Sequence, residues 1–210
     1  MAFTATVFLL SPASCAGVRA QMLLNSKTSP LRARLESEGA PLGEVFTFMS
    51  SLYFRGKLAY ATAFGAPPAG WAGALVITPG RGLMPVDQSI RVSDLRAMAE
   101  VPVDEEVRAY REPLDRDAAA LERALGPDGR AVLLGSIATD KYVTPLVQAL
   151  GDRLHFPPVF VGRGDMSRGG LLLRCAQAGT QLDYAPVQGA VRNGKRPPKL
   201  GKLPRRKMQD

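Results

Sequence analysis

Four short apolar runs, each bounded by Gly, Pro or Ser, are the clearest pattern in the chain. They are TVFLL (6 to 10), GALVIT (73 to 78), AVLLGS (131 to 136) and PVFVG (158 to 162). Apolar runs of this length with such boundaries predict buried β-strands.

Stretches with helical spacing lie between these runs. Residues 114 to 125 predict an amphipathic helix, and residues 140 to 150 predict a shorter one interrupted by Pro145. Residues 43 to 64 predict one helix with a kink at Gly56, because apolar side chains recur on one side at Val45, Phe48, Leu52, Leu58 and Ala61. Strands alternating with helices predict an α/β fold, a three-layer sandwich with a mixed, mainly parallel central sheet flanked by helices, as a single domain over residues 1 to 191.

The net charge of +8 is concentrated at the C-terminus. Residues 192 to 210 carry eight Lys or Arg against one acid, so the other 191 residues contribute only +1. This segment holds three prolines and little apolar content, which predicts a basic, Pro-rich, disordered tail. Such tails also contact ribosomes or acidic proteins. Our prediction is that this one binds the nucleic-acid backbone, through Arg192, Lys195, Arg196, Lys199, Lys202, Arg205, Arg206 and Lys207.

Cysteine and histidine content excludes several other classes of protein. Cys15 and Cys175 are far apart and His155 is the single histidine, so neither a disulfide framework nor a Cys/His zinc site can be assembled. We therefore expect no metal and no cofactor, and we expect His155 in a strand at the edge of the core. The apolar run at 7 to 10 is short for a signal peptide, and no window suits a membrane helix. These features predict a monomeric cytoplasmic protein without a membrane partner.

Polar clusters follow each of the four predicted strands. Ligands of parallel α/β sheets bind at the carboxyl ends of the strands, so these loops are expected to converge on one site. The chain contains neither GxxxxGK[ST] nor GxGxxG, the glycine-rich phosphate motifs. The candidate phosphate- or nucleotide-binding residues are Ser11, Ser14, Arg19, Arg81, Asp87, Thr139, Lys141, Tyr142, Arg163, Ser167 and Arg168.

Helix starts are predicted in two of these loops. Ser14 is a candidate N-cap of a helix whose free N–H groups would bind an anion, although simple capping explains the pattern as well. Thr139 is a candidate cap of the helix at 140 to 150, where Asp140 would lie at the positive end and Lys141 and Tyr142 would reach a ligand. A well-capped helix with solvated charges is the alternative.

The loop GRGDMSRGG at 162 to 170 combines arginines with glycines. Arg163 and Arg168 offer planar groups that suit phosphate or carboxylate, and Asp165 is placed to hold one of them by a charge-assisted hydrogen bond. The glycines permit a close approach of the backbone. The alternative is an internal Arg/Asp pair that ties the loop to the next helix.

Taken in order, four segments resemble the YaaA-like peroxide-stress proteins. VFLLSPAS (7 to 14) is similar to that family's opening strand and SPAK signature, and RGLMPVDQSIR (81 to 91) to its YGVLRPLD segment. SIATDKY (136 to 142) resembles its N-L-A-S-D-E-Y segment, and RGDMSRG (163 to 169) its A-R-G-L-M-[AS]-R stretch. The resemblance covers about residues 7 to 170.

The resemblance implies a mixed α/β fold related in outline to uracil-DNA glycosylases, DNA binding, and a stress-response role in protection against oxidative damage. The family's signature lysine is Ser14 here, and Arg19 and Lys57 are the cations available to replace it. The chain is also shorter in its middle, where the family has a helical DNA-contacting insertion.

Three functions therefore stay open. The first is nucleic-acid binding, with DNA favoured over RNA. The second is an enzyme of the N-glycosidase type, in which Asp140 or Asp165 would orient water and Tyr142 would stack on a base. The third is a non-catalytic interaction module that presents aromatic side chains to a protein partner, namely Phe46, Tyr53 and Tyr60.

Overall fold

Six strands form the central sheet. The structure is a computed structural model, and it describes residues 4–198, 200 and 201. The spatial order is β4-β3-β1-β6-β7-β8, made of β1 (Thr6–Leu10), β3 (Ala74–Thr78), β4 (Gly82–Pro85), β6 (Arg130–Leu134), β7 (Leu154–Phe156) and β8 (Ala185–Pro186). The four inner strands are parallel and the two edge strands are antiparallel. The predicted mixed, mainly parallel sheet is confirmed.

Helices cover both faces of the sheet. They are α1 (Val18–Asn25), α2 (Pro30–Ser37), α3 (Leu42–Ser50), α4 (Leu52–Phe64), α5 (Val92–Glu100), α6 (Arg108–Leu125), α7 (Asp140–Leu150) and α8 (Asp165–Ala178). A small second sheet pairs β2 (Ala40–Pro41) with β5 (Ser89–Ile90). Alternate residues of β1 enter two separate hydrophobic clusters, Phe8 and Leu10 with α1 to α5 and α8, and Val7 and Leu9 with α6 and α7. Burial on both faces explains why β1 is a continuous apolar run.

The helix predicted over 43 to 64 is two helices. The break falls at Ser51, which has a φ of 53° although it is not a glycine. Gly56 lies inside α4, which is continuous from Leu52 to Phe64. A Cβ at Gly56 would lie 2.4 Å from the carbonyl oxygen of Gly169, so the two glycines let α4 and α8 cross in close contact. Pro145 lies inside α7, which is not interrupted there.

The strand predicted at 158 to 162 is wrong. That segment begins with a 3-10 turn at Pro158–Phe160, and the strand is the earlier β7. Pro157 and Pro158 lack the backbone N–H that a sheet ladder needs, so pairing ends before them. His155 lies in β7 and is half-buried, as predicted for an edge of the core.

The first part of the predicted tail follows the domain surface. Arg192 pairs with Asp140, and the backbone of Lys195 passes against Gly162. The predicted backbone-binding residues Lys199, Lys202, Arg205, Arg206 and Lys207 lie outside the described residues. Within the described part of the chain, no helix combines the length and apolar character needed to cross a membrane.

Candidate functional site

A cleft of about 940 Å³ opens at the carboxyl edge of the sheet. Its lining comes from the loops after β1, β3 and β6 and from the first turns of α1, α7 and α8. Among the predicted site residues, the cleft brings together Ser11, Ser14, Arg19, Thr139, Lys141, Tyr142 and Asp165.

One wall of the cleft is the loop after β1, because every residue from 11 to 19 lines it. The N-cap of α1 is Gly17 and not Ser14, whose carbonyl instead accepts the Gly17 N–H at 3.3 Å. The N–H groups of Ser14, Cys15 and Ala16 form no hydrogen bond with another described residue. This wall therefore offers several free backbone donors together with the exposed Arg19 side chain.

The facing wall comes from α7 and α8. Lys141 and Tyr142 lie in the first turn of α7, after Thr139, which is its N-cap but makes no side-chain capping hydrogen bond. Burial raises the pKa of Tyr142, and the Ser136 backbone and the Arg168 guanidinium oppose that rise only in part, so the hydroxyl stays protonated. Asp165 is the first residue of α8, at the positive end of that helix.

A buried lysine lies behind the cleft wall, in contact with Ser11. Lys57 of α4 is 1% exposed, and its Nζ donates to the Ser11 carbonyl at 2.6 Å and lies 3.0 Å from the Ser11 Oγ. The rings of Tyr53 and Phe54 lie 4.3 and 4.8 Å from the same nitrogen. Burial lowers the pKa of Lys57 to about 7, with Asp165 opposing the change and Arg168 adding to it. A substantial fraction of this amine is therefore neutral at neutral pH.

Tyr53 lines the cleft beside Lys57. Its hydroxyl is buried and has no hydrogen-bond partner among the described residues. Burial raises the pKa of Tyr53, and the nearby Arg168 guanidinium opposes that effect. A buried hydroxyl without a partner carries a free-energy cost of about 1 to 3 kcal/mol.

The remaining surface of the cleft is mainly apolar. Met49 of α3, Met98 of α5 and the segment after α5 form it, the latter through Val101, Pro102 and Val103. Asp104 is the acidic residue at this side. The cleft thus has an apolar side and a polar side, which is the arrangement expected for an amphipathic small ligand.

Two predicted site residues do not line the cleft, for different reasons. Arg81 sits in the tight β3–β4 turn and forms an ion pair of 2.7 Å with Asp94 of α5. Asp87 follows β4, whose antiparallel direction carries it toward the opposite end of the sheet. The four loops therefore do not all converge as expected. The cleft is lined by the loops after the parallel strands β1, β3 and β6 and by the start of α8.

Asp140 and Arg168 also point elsewhere. Asp140, in the first turn of α7, pairs with Arg192. Arg168 is buried, and its guanidinium donates twice to the Phe160 carbonyl at 3.2 Å. The predicted contact between Arg168 and Asp165 is present at 3.5 Å, which is longer than the two hydrogen bonds to the Phe160 carbonyl. Arg168 thus ties the loop to α8, as in the alternative interpretation of this sequence.

Arg163 and Ser167 lie on the other side of the α8 start, in what we call the arginine surface, defined by Arg163, Arg174, Arg192 and Arg196. Two shallow hollows of about 290 and 440 Å³ lie between these side chains. Arg163 is held by hydrogen bonds to the Val159 carbonyl at 3.0 Å and the Ser167 hydroxyl at 3.2 Å.

The arginine surface adjoins the cleft. Ala138 and Gly164 line a hollow of the arginine surface, whereas their chain neighbours Thr139 and Asp165 line the cleft. The two sites are therefore separated by the width of a single loop on each side.

The described residues offer neither a metal site nor an exposed face made of Phe46, Tyr53 and Tyr60. Within residues 4–198, 200 and 201, no group of three or more His, Cys, Asp or Glu could hold a metal ion. Phe46, Tyr53 and Tyr60 are buried, so they do not present an aromatic face to a protein partner. The Tyr60 hydroxyl is instead 2.6 Å from that of Tyr184.

Comparisons with protein-family models, with curated proteins and with solved structures gave no match to this chain. The resemblance to YaaA-like proteins rests on the four sequence segments alone. Three of those segments contribute residues to the cleft, and the segment at 81 to 91 does not.

The burial of Lys57 behind Ser11 was the feature least visible in the sequence. Lys57 follows Tyr53 by four residues and precedes Ala61 by four, so it interrupts an apolar stripe on one face of α4. A single lysine within such a stripe is the signal that identifies it as buried.

Proposed function

We propose that the protein binds nucleic acid, with a phosphorylated nucleotide group in the cleft and the adjoining backbone on the arginine surface. The observation that carries this proposal is the adjacency of the two sites, which share the loops at 138–139 and 164–165. A strand whose terminal or extruded nucleotide occupied the cleft would have its next phosphates beside the guanidinium groups.

The dimensions and chemistry of the cleft support a nucleotide-sized ligand. Ligand pockets range over about 300 to 1,000 Å³, and the cleft measures about 940 Å³. Met98 and Val101 provide apolar surface for a base or sugar. Arg19, Lys141 and the free N–H groups at 14–16 provide donors for phosphate.

The arginine surface supports binding of the backbone. Arginine presents planar, fork-shaped donors that match phosphate oxygens, and it remains charged at every physiological pH. Asp140 compensates one of these charges through Arg192. Arg163, Arg174 and Arg196 have no acidic partner among the described residues, so these three are the residues expected to contact phosphates. The sequence resemblance favours DNA over RNA and a stress-protective role, and both remain part of the proposal.

The test is fluorescence anisotropy with labelled, 5′-phosphorylated single-stranded DNA, duplex DNA and RNA over a range of salt concentrations. Each lost phosphate contact reduces the slope of log affinity against log salt by about one. Arg163→Ala combined with Arg196→Ala should therefore lower the slope by about two and weaken binding to all sequences similarly.

Arg123→Ala is the matched control for this experiment. Arg123 is exposed near the end of α6, which precedes β6 and so lies at the sheet edge opposite the cleft. Its substitution removes the same charge and should leave binding unchanged. Equal weakening by Arg123→Ala, or unchanged binding by the double variant, would refute the proposed surface.

A second function, release of a nucleobase, is favoured by one observation. Of the two candidate carboxylates, Asp165 lines the cleft, whereas Asp140 faces Arg192 outside it. Asp165 is therefore the residue that would orient water or stabilise positive charge on the sugar. Incubation with oligonucleotides that carry damaged bases should release base with the wild type and not with Asp165→Asn. No release across a broad substrate panel would leave nucleic-acid binding as the function.

A further inference from the structure

The buried contact between Lys57 and Ser11 has a geometry that nucleic-acid binding does not require. The Nζ of Lys57 lies 3.0 Å from the Oγ of Ser11, and Ser11 lines the cleft. The same nitrogen donates to the Ser11 carbonyl at 2.6 Å, which fixes its direction. A serine hydroxyl at a cleft surface with a buried amine behind it is the arrangement of a nucleophile and its base.

The surroundings of Lys57 favour the neutral amine, which is the form that can accept a proton. Tyr53 and Phe54 of α4 enclose the nitrogen, and burial is the main cause of its lowered pKa. The charged groups of α8 that act on it are Asp165, which opposes this effect, and Arg168, which reinforces it.

We propose that Ser11 and Lys57 form a nucleophile–base pair, and that the cleft cleaves a carboxylic ester that carries an anionic group. The anionic group follows from Arg19 and Lys141, the two cations that line the same cleft. The proposal goes beyond nucleic-acid binding and does not depend on it.

The reaction balances with water as the only co-reactant. The Ser11 Oγ attacks the ester carbonyl while its proton passes to the Lys57 Nζ, and a tetrahedral oxyanion forms. The free N–H groups at 14–16 line the same cleft and are candidate donors to this oxyanion. The carbon–oxygen bond to the alcohol then breaks, and the alcohol leaves with the proton from Lys57. Water, deprotonated by Lys57, cleaves the acyl-serine and restores both side chains.

Two other groups contact the Ser11 side chain, and one of them is the Tyr142 side chain. The Ser11 hydroxyl can also donate to the Leu134 carbonyl at 3.3 Å, which is longer than its distance to Lys57. If that bond held the proton, Lys57 would only anchor the end of β1 and Ser11 would not be nucleophilic. Reactivity of Ser11 therefore separates the two possibilities.

The probe for this test is a small alkyl fluorophosphonate, which reacts with activated serines as the Oγ–P bond forms and fluoride leaves. We expect one adduct on the folded wild type, located at Ser11 by peptide mass spectrometry. The labelling rate should rise with pH around the pKa of Lys57, about 7, because only the neutral amine accepts the proton. This pH profile needs no variant.

Two variants and one control complete the design. Ser11→Ala should abolish the adduct, and Lys57→Met should slow labelling by at least about 100-fold while the chain remains folded by circular dichroism. Ser50→Ala removes another hydroxyl of the same cleft and should label like the wild type. Absence of a Ser11 adduct on folded wild type, or a rate independent of both pH and Lys57, would overturn the proposal and leave nucleic-acid binding untouched.

Discussion

Burial of Lys57 should make the free energy of unfolding depend on pH. The perturbation is Lys57→Met, which keeps the length of the side chain and removes the titrating amine. In the folded state the pKa of this amine falls from its ordinary 10.5 to about 7, because the side chain is fully buried. Methionine in the same place has no charge to desolvate.

The sign of the effect follows from proton binding. Between about pH 7 and pH 10 the unfolded chain holds the lysine proton and the folded chain does not, so the free energy of unfolding rises with pH. Each unit of pKa difference is worth about 1.4 kcal/mol. Integrated from about pH 6 to pH 8.5 with the two pKa values, the rise amounts to about 2 kcal/mol.

Urea denaturation at several pH values measures this rise, and the difference between the wild type and Lys57→Met removes the contributions of other groups. The buried tyrosines and Cys15, whose pKa values are raised, act in the opposite direction only at higher pH. We expect the wild type to gain about 2 kcal/mol relative to the variant over this range. A difference that stays constant within about 0.5 kcal/mol would show that Lys57 keeps its proton in the folded protein.

Two further predictions concern helix packing and thiol reactivity. Gly169→Ala should destabilise the protein by about 1 to 3 kcal/mol in urea denaturation, because its Cβ would lie 2.6 Å from the Leu52 carbonyl oxygen. Gly164→Ala is the control, because a Cβ at Gly164 would have no atom within 4 Å. It should change stability by less than about 0.5 kcal/mol. An aromatic disulfide reagent should modify the partly exposed Cys175 well before the buried Cys15, whose pKa is raised to about 12; equal rates would contradict the burial of Cys15.

Periodicity predicted three of the six strands of the central sheet, because β1, β3 and β6 are continuous apolar runs. The fourth inner strand, Leu154–Phe156, is short and contains a histidine, so its pattern was weaker than that of the neighbouring PVFVG segment. The two prolines before Val159 were the decisive local signal. Ser51 shows the complementary case, since its positive φ ends a helix where neither glycine nor proline is present.

The candidate site was predictable where loops follow parallel strands. Ser11, Ser14 and Tyr142 lie at the same sheet edge because β1 and β6 are adjacent and parallel. Asp87 was misplaced because the direction of β4 depends on a tight turn that hydrophobic periodicity does not encode. Lys57 required tertiary knowledge, since only the packing of α4 onto the sheet brings its amine to Ser11.

The most direct test of the central claim is a crystal structure of the protein with a short 5′-phosphorylated DNA oligonucleotide. We predict a phosphate within hydrogen-bonding distance of Arg19 and Lys141 in the cleft, and the following phosphates beside Arg163 and Arg196. Oligonucleotide bound elsewhere on the molecule, with the cleft unchanged at saturating concentration, would contradict it.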